Sequence, residues 1–225
     1  MTLIKRASNL LLVAATAGAV VGLSAAPAMA ATTLKVKVTN GGTYTATSSK
    51  TVFTNKTAAG TISVTCSTVG STPASKGTGT VPTATTTGTS PVKVGTVSTL
   101  AFHNCTGPLG AVTTKVTALP YKLNIDSTTN STGQTDGTIS GIKVNVSMTG
   151  CTFTVTGSSP GFYTNSSHKL SMTTTSKLPI KPLNTATLTV SNVVGCAGLV
   201  VNGNHPTFSG VYTVSRAIVI KSTTA

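Results

Sequence analysis

Acid is almost missing from this chain: Asp126 and Asp136 are its only carboxylate side chains, with no glutamate, against 16 lysines and arginines in 225 residues. Most glycosidases work with two carboxylates held at a set separation. Here both acids fall in or near one polar stretch, where Asp126 closes a strand and Asp136-Gly137 has the form of a turn. A calcium site needs several oxygen ligands, usually acidic ones, so no calcium is expected and the cofactor expectation is empty. Tryptophan is absent and, beyond residue 30, Arg216 is the only arginine. Nucleic-acid binding draws on arginine forks and aromatic platforms, so no nucleic-acid partner is expected. No stretch carries the Ala, Glu, Lys and Leu mixture of good helices, and little helix is expected. Leu178-Pro179-Ile180-Lys181 is not a sortase motif, and no hydrophobic tail followed by basic residues is seen, so covalent wall attachment is not expected.

What is present begins with a three-part N-terminus. Lys5 and Arg6 supply positive charge, residues 10–21 are apolar, and Ala28-Met29-Ala30 offers small residues for cleavage before Ala31. This reads as a Sec-type signal peptide over residues 1–30. Its apolar run is shorter than the ~20 residues a membrane span needs. Ala31 in place of cysteine excludes a lipid anchor there, and Lys5-Arg6 is not a twin arginine. Residues 31–225 are then expected to form a single secreted domain with a net charge near +12, its lysines scattered singly. Such a charge attracts anionic cell-wall polymers or surfaces at long range, and it also serves solubility alone.

Four cysteines lie in that span: Cys66, Cys105, Cys151 and Cys196. An even count in an exported chain implies two disulfides, and without a CxxC spacing no metal site is expected. Three pairings are formally possible. A weak internal echo, Thr96-Val97-Ser98 ahead of Cys105-Thr106-Gly107 and Thr189-Val190-Ser191 ahead of Cys196-Ala197-Gly198, favours Cys66 with Cys105 and Cys151 with Cys196.

Threonine, serine, glycine and valine dominate, in short alternating runs bounded by Gly, Pro or Asn, the period-two signal of half-buried strands. Leu34, Val36 and Val38 point one way and Lys35, Lys37 and Thr39 the other, followed by Asn40-Gly41-Gly42; a hairpin over 34–46 is expected. Further strands are read at 61–68, 92–102, 111–119, 121–125, 142–148, 151–156, 169–174, 187–194 and 208–220. About ten strands with short polar connections give an all-β, antiparallel β-sandwich of Ig-like or Greek-key type, held by two disulfides. Two low-complexity stretches, the Thr/Gly/Pro-rich 70–91 and the polar 127–137, read as mobile loops or edge hairpins.

One hydrolase-like motif occurs. Gly157-Ser158-Ser159-Pro160-Gly161 matches a nucleophile elbow, which needs a strand, a strained turn and a helix; the following residues have no helical pattern, so a Gly/Ser/Pro loop is expected and no catalytic residue is assigned. His103, His168 and His205 supply candidate bases but no spaced metal pair. The aromatics fall mostly on strands as core; Phe162-Tyr163, in a Gly/Ser/Asn loop, is a possible contact loop or tucks onto the core.

Ser63-Val64-Thr65-Cys66, Ala118-Leu119-Pro120-Tyr121-Lys122-Leu123, Ile139-Ser140-Gly141-Ile142 and Thr149-Gly150-Cys151 together resemble the small secreted bacterial proteins labelled activators of alkane oxidation. The resemblance implies a secreted β-rich surface or biofilm-matrix protein without an active site, and it carries over no functional residues. The functional expectation is therefore a secreted, non-enzymatic cell-surface or extracellular-matrix protein. Its rivals are a secreted serine hydrolase using Ser159, and a secreted inhibitor or binding module presenting residues 157–167.

Overall fold

Threonine and valine, β-branched and stiff at χ1, favour the pleated backbone that they occupy almost throughout this structure. The computed structural model describes residues 32–180 and 186–225. Sixteen strands appear there: β1 (Thr33–Thr39), β2 (Gly42–Ser48), β3 (Lys50–Thr57), β4 (Gly60–Ser67), β5 (Ser75–Val81), β6 (Ala84–Thr89), β7 (Val92–Phe102), β8 (Cys105–Gly107), β9 (Gly110–Thr117), β10 (Tyr121–Ile125), β11 (Gln134–Met148), β12 (Cys151–Thr164), β13 (Lys169–Met172), β14 (Leu188–Gly195), β15 (Thr207–Val214) and β16 (Val219–Thr224). Helix among the described residues is limited to two single 3₁₀ turns, Thr175–Lys177 and Cys196–Gly198. The signal-cleavage residues Ala28, Ala30 and Ala31 lie outside the described residues.

All strand pairings are antiparallel, in a three-stranded sheet, β16-β1-β6, and a thirteen-stranded one. The larger sheet closes on itself. Following hydrogen-bonded neighbours, β11 pairs with β12, β12 with β13, β13 with β15, β15 with β2, β2 with β5, β5 with β7, β7 with β10, and β10 with β11 again. A second circuit leaves β11 through β9, β8, β4 and β3 and returns by β15, β13 and β12. Closure gives every strand of the first circuit a partner on both sides, the barrel solution to exposed backbone donors and acceptors, while β14, paired with β12 alone, remains an edge strand. The all-β antiparallel class is as expected, but the strands outnumber the ten expected, and closed circuits stand in place of two facing open sheets.

The long β11–β12 hairpin makes both circuits possible. Its outer half, from Gln134 to Ser140 against Thr164 to Ser158, lies between β10 and β13, and its inner half, Lys143 to Met148 against Thr156 to Cys151, lies between β9 and β14. Between them the register shifts at Gly141, which has a φ of +80°. Glycine adopts that φ without strain, and the resulting bulge bends the strand from one circuit into the other.

Sequence alternation located the inward faces well and the partners poorly. Leu34, Val36 and Val38 are buried as read, yet β1 and β2 form no hairpin. β1 pairs with β16 and β6, while β2 pairs with β15 and β5. At the junction Asn40 takes a positive φ, its carbonyl accepts a 2.7 Å bond from Arg216 Nε, and the Gly41 N–H donates to Thr83 Oγ1, so the turn hands the chain from one sheet to the other. The stretch 70–91, expected as loop or edge hairpin, contains β5, an interior strand of the large sheet, and β6, an edge strand of the small one. The run 208–220 divides into β15 and β16, in different sheets.

Two apolar clusters make the core. One gathers Ile62, Val64, Val144, Val146, Phe153 and Val190 around both disulfides; the other gathers Leu34, Val36, Tyr44, Val81, Ile125 and Tyr163 where the small sheet covers the large. Tyr121, fully buried, clamps the β9–β10 corner: its hydroxyl lies 2.9 Å from the Thr117 carbonyl and 2.6 Å from that of Lys143, and it accepts the Lys143 N–H.

The disulfides join Cys66 to Cys105 and Cys151 to Cys196, the pairing the internal echo favours. Cys66 and Cys105 are register partners on β4 and β8, and Cys151 faces Gly195, next to Cys196, on β14. Cross-linking residues 45 apart restricts the unfolded chain by about 4 kcal/mol on the chain-entropy account. Cys151→Ala/Cys196→Ala is expected to lower unfolding free energy by about 2–5 kcal/mol in urea titrations with the other disulfide intact; an unchanged midpoint would contradict a structural role.

Candidate functional site

Ser159 lies inside β12, in register with Ile139 of β11, and Pro160 follows in register with Thr138. The strand runs unbroken from Cys151 to Thr164, so Gly157-Ser158-Ser159-Pro160-Gly161 is strand rather than loop, and the turn and helix of a nucleophile elbow have no place there. Gly161 serves packing: a Cβ on it would stand 2.6 Å from the Ser171 carbonyl oxygen and 3.0 Å from the Met172 sulfur. Phe162 and Tyr163, expected in a loop that either makes a contact or tucks onto the core, are also in β12. Tyr163 is buried and its hydroxyl donates to the Ile218 carbonyl at 2.9 Å, burial pushing its pKa up to about 12. It is core, and the segment 157–164 presents no free loop.

The histidines are dispersed. His205 Nδ1 lies 3.1 Å from the Leu188 carbonyl oxygen and 3.5 Å from Thr189 Oγ1, His103 is half-buried two residues before Cys105, and His168 Nδ1 is buried without a partner. Among the described residues no histidine is hydrogen-bonded to Ser159, Asp126 or Asp136, and no group of three metal-ligating side chains converges.

The two aspartates depart most from expectation. Asp126 is 3 % exposed and Asp136, placed in β11 rather than in a turn, is fully buried. The Asp126 N–H donates to the Asp136 carbonyl at 2.9 Å, which brings the two residues together. Asp126 Oδ1 accepts from Thr138 Oγ1, Asp136 Oδ2 accepts the Ile180 N–H at 2.9 Å, and one oxygen of each carboxyl has no partner. Burial is the main cause pushing Asp126 up to about 7, with the Asp136 charge adding to it, and burial pushes Asp136 up to about 6. Polar residues read as loop therefore enclose a pair of carboxyls that are substantially protonated in mild acid.

A separate feature is an apolar chamber of about 130 Å3 in the interior of the large sheet, walled by Tyr44, Phe53, Leu100, Ile142, Phe208 and Tyr212 among others. Leaving such a volume empty costs roughly 3 kcal/mol at ~24 cal/mol per Å3. Ser159, Thr51 and Thr114 also line it, each with a buried hydroxyl lacking a hydrogen-bond partner. β3, which carries Thr51, has no clear apolar alternation, so nothing in its sequence marked it as a wall of this chamber.

Comparison with family models, with curated proteins and with solved structures returns no match.

The aspartate pair fixes a direction for pH dependence. Below the ordinary carboxylate pKa of 3.8, folded and unfolded chains both hold the two protons; as pH rises the unfolded chain releases them first, so stability falls until the folded groups ionise near 6 and 7. The urea midpoint is expected to drop between pH 4 and pH 7.5, by up to a few kcal/mol equivalent, and to flatten in Asp126→Asn. Rising stability over that interval would contradict the burial of the pair.

Proposed function

We propose that this is a secreted, non-catalytic protein of the cell surface or extracellular matrix, which adheres to anionic cell-wall polymers through the outer face of its three-stranded sheet. The observation that carries the reading is the segregation of charge: both carboxylates are buried, while every lysine among the described residues is exposed. The surface thus presents ammonium groups with no exposed side-chain carboxylate to neutralise them, which favours phosphate- or carboxylate-bearing polymers.

The small sheet concentrates this property, against the expectation of lysines scattered singly. Lys37 stands directly opposite Lys221, Lys35 lies two residues along the same strand, and Thr85, Thr87 and Thr223 complete the outward rows. Like charges facing across a strand pair are destabilising. An arrangement that costs folding energy and fits an anion supports a polyanion contact there. The signal-peptide reading of residues 1–30, the two disulfides and the resemblance stated above accord with the same class.

The test is sedimentation of purified protein with isolated cell walls. Lys35→Gln/Lys37→Gln/Lys221→Gln is expected to weaken low-salt binding roughly tenfold, at about 0.5 kcal/mol per exposed charge, and raising salt toward ~1 M is expected to abolish it. Equal weakening by Lys76→Gln/Lys143→Gln/Lys169→Gln would overturn the assignment to this face, and binding that persists at high salt would overturn the electrostatic mechanism.

A further inference from the structure

The chamber inside the large sheet stands apart from the lysine face and from the aspartate pair. We propose that it is a binding site for a small, uncharged, hydrocarbon-like molecule bearing at most one hydroxyl or carbonyl group. Its volume, about 130 Å3, is close to that of an engineered apolar cavity of ~150 Å3 that stays dry and takes up benzene. No aspartate, glutamate, histidine, lysine or arginine is among its lining residues, which excludes an ionised ligand, since a buried charge needs a partner.

The polar atoms around the chamber define the rest of the ligand. The tyrosines that turn their rings to it have committed their hydroxyls elsewhere: Tyr44 donates to the Thr96 carbonyl at 3.1 Å, Tyr212 to Ser75 Oγ at 3.1 Å, and Tyr121 is bonded to the β9 and β11 backbone. Ser159 and Thr51, each 1 % exposed, have not: both residues line the chamber, and their buried hydroxyls lack a partner. A water needs two to four polar partners to settle in such a space, whereas an apolar molecule with one polar end fills the volume and satisfies a stranded hydroxyl at once. A second void of about 80 Å3 shares Tyr44, Ile139, Leu170 and Met172 with the first, and continues the apolar interior toward β1 and β16 through Ile218 and Ile220.

Titrating the full, disulfide-intact chain with benzene and with phenol, followed by methyl NMR and thermal unfolding, tests the site. Saturable shifts are expected at Ile139, Leu170 and Met172 but not at the exposed Val194 or Val211, and a ligand at about ten times its Kd is expected to raise Tm by roughly 3–5 °C. Phenol is expected to bind more tightly than benzene, and Ser159→Ala to remove that preference while keeping benzene binding. Ala46→Leu, which puts bulk into the chamber wall, is expected to abolish both. Absence of saturable shifts in the unmodified protein would overturn the proposal, whatever the folding of the variants. Binding that survives Ala46→Leu would place the ligand elsewhere, and an unchanged phenol preference in Ser159→Ala would overturn the role given to that hydroxyl.

Discussion

Backbone hydrogen bonding around two closed strand circuits is the constraint on which the rest of this structure depends. A chain so rich in threonine, serine and glycine buries modest apolar area per residue, and its unpaired strand edges would be both costly and adhesive. Closure satisfies them. The β11–β12 hairpin is common to both circuits, and the bend at Gly141 separates the span of β11 that pairs with β10 from the span that pairs with β9. The disulfides sit in only one of the two apolar clusters, the one served by β4, β8, β9 and β14. The other cluster is sealed by the cover of β1 and β16, whose Leu34, Val36 and Ile220 are buried in it together with Ile218 just ahead of β16.

Closure also explains the separation of chemistry. Inward positions of closed circuits surround a space, and where side chains do not fill it a chamber remains. The lysines have only the outer face available, because an unpaired ammonium inside such a structure would be too costly. The two carboxyls accept burial at a smaller price because protonation neutralises them, which is the origin of their raised pKa values. The outcome is a surface of one sign over an uncharged interior.

Local periodicity was legible where it sufficed. The inward set Leu34, Val36 and Val38, the set Ile62, Val64 and Cys66, and the bounds of β10 follow from alternation alone. The partners of those strands were not legible. Asn40-Gly41-Gly42 has hairpin chemistry, but the bonds from Arg216 and to Thr83 that redirect it come from far along the chain. Residues 134–137 and 157–164 looked like loop because their Thr, Gly, Ser and Pro content signals turns, while the pairing that makes them strand lies in each other and in β10 and β13. Asp136-Gly137 misled for the same reason. Its burial depends on Ser127, Thr138 and Ile180 closing around the pair, which no short-range pattern encodes.

The narrowest link in the first circuit is the contact between β15 and β2, where only Thr213 with Thr47 and Val214 with Ala46 are in register. Beyond it the Ser215 N–H donates to the Thr45 carbonyl at 2.8 Å, and the Thr45 N–H donates to Ser215 Oγ at 2.9 Å. Residue-resolved amide hydrogen exchange at Ser215 and Thr45 therefore tests closure most directly. The account predicts protection of both amides comparable to that of the β11–β12 hairpin. Exchange at the rate of unstructured chain, with the hairpin still protected, would mean that the circuit is open at this seam and would contradict it.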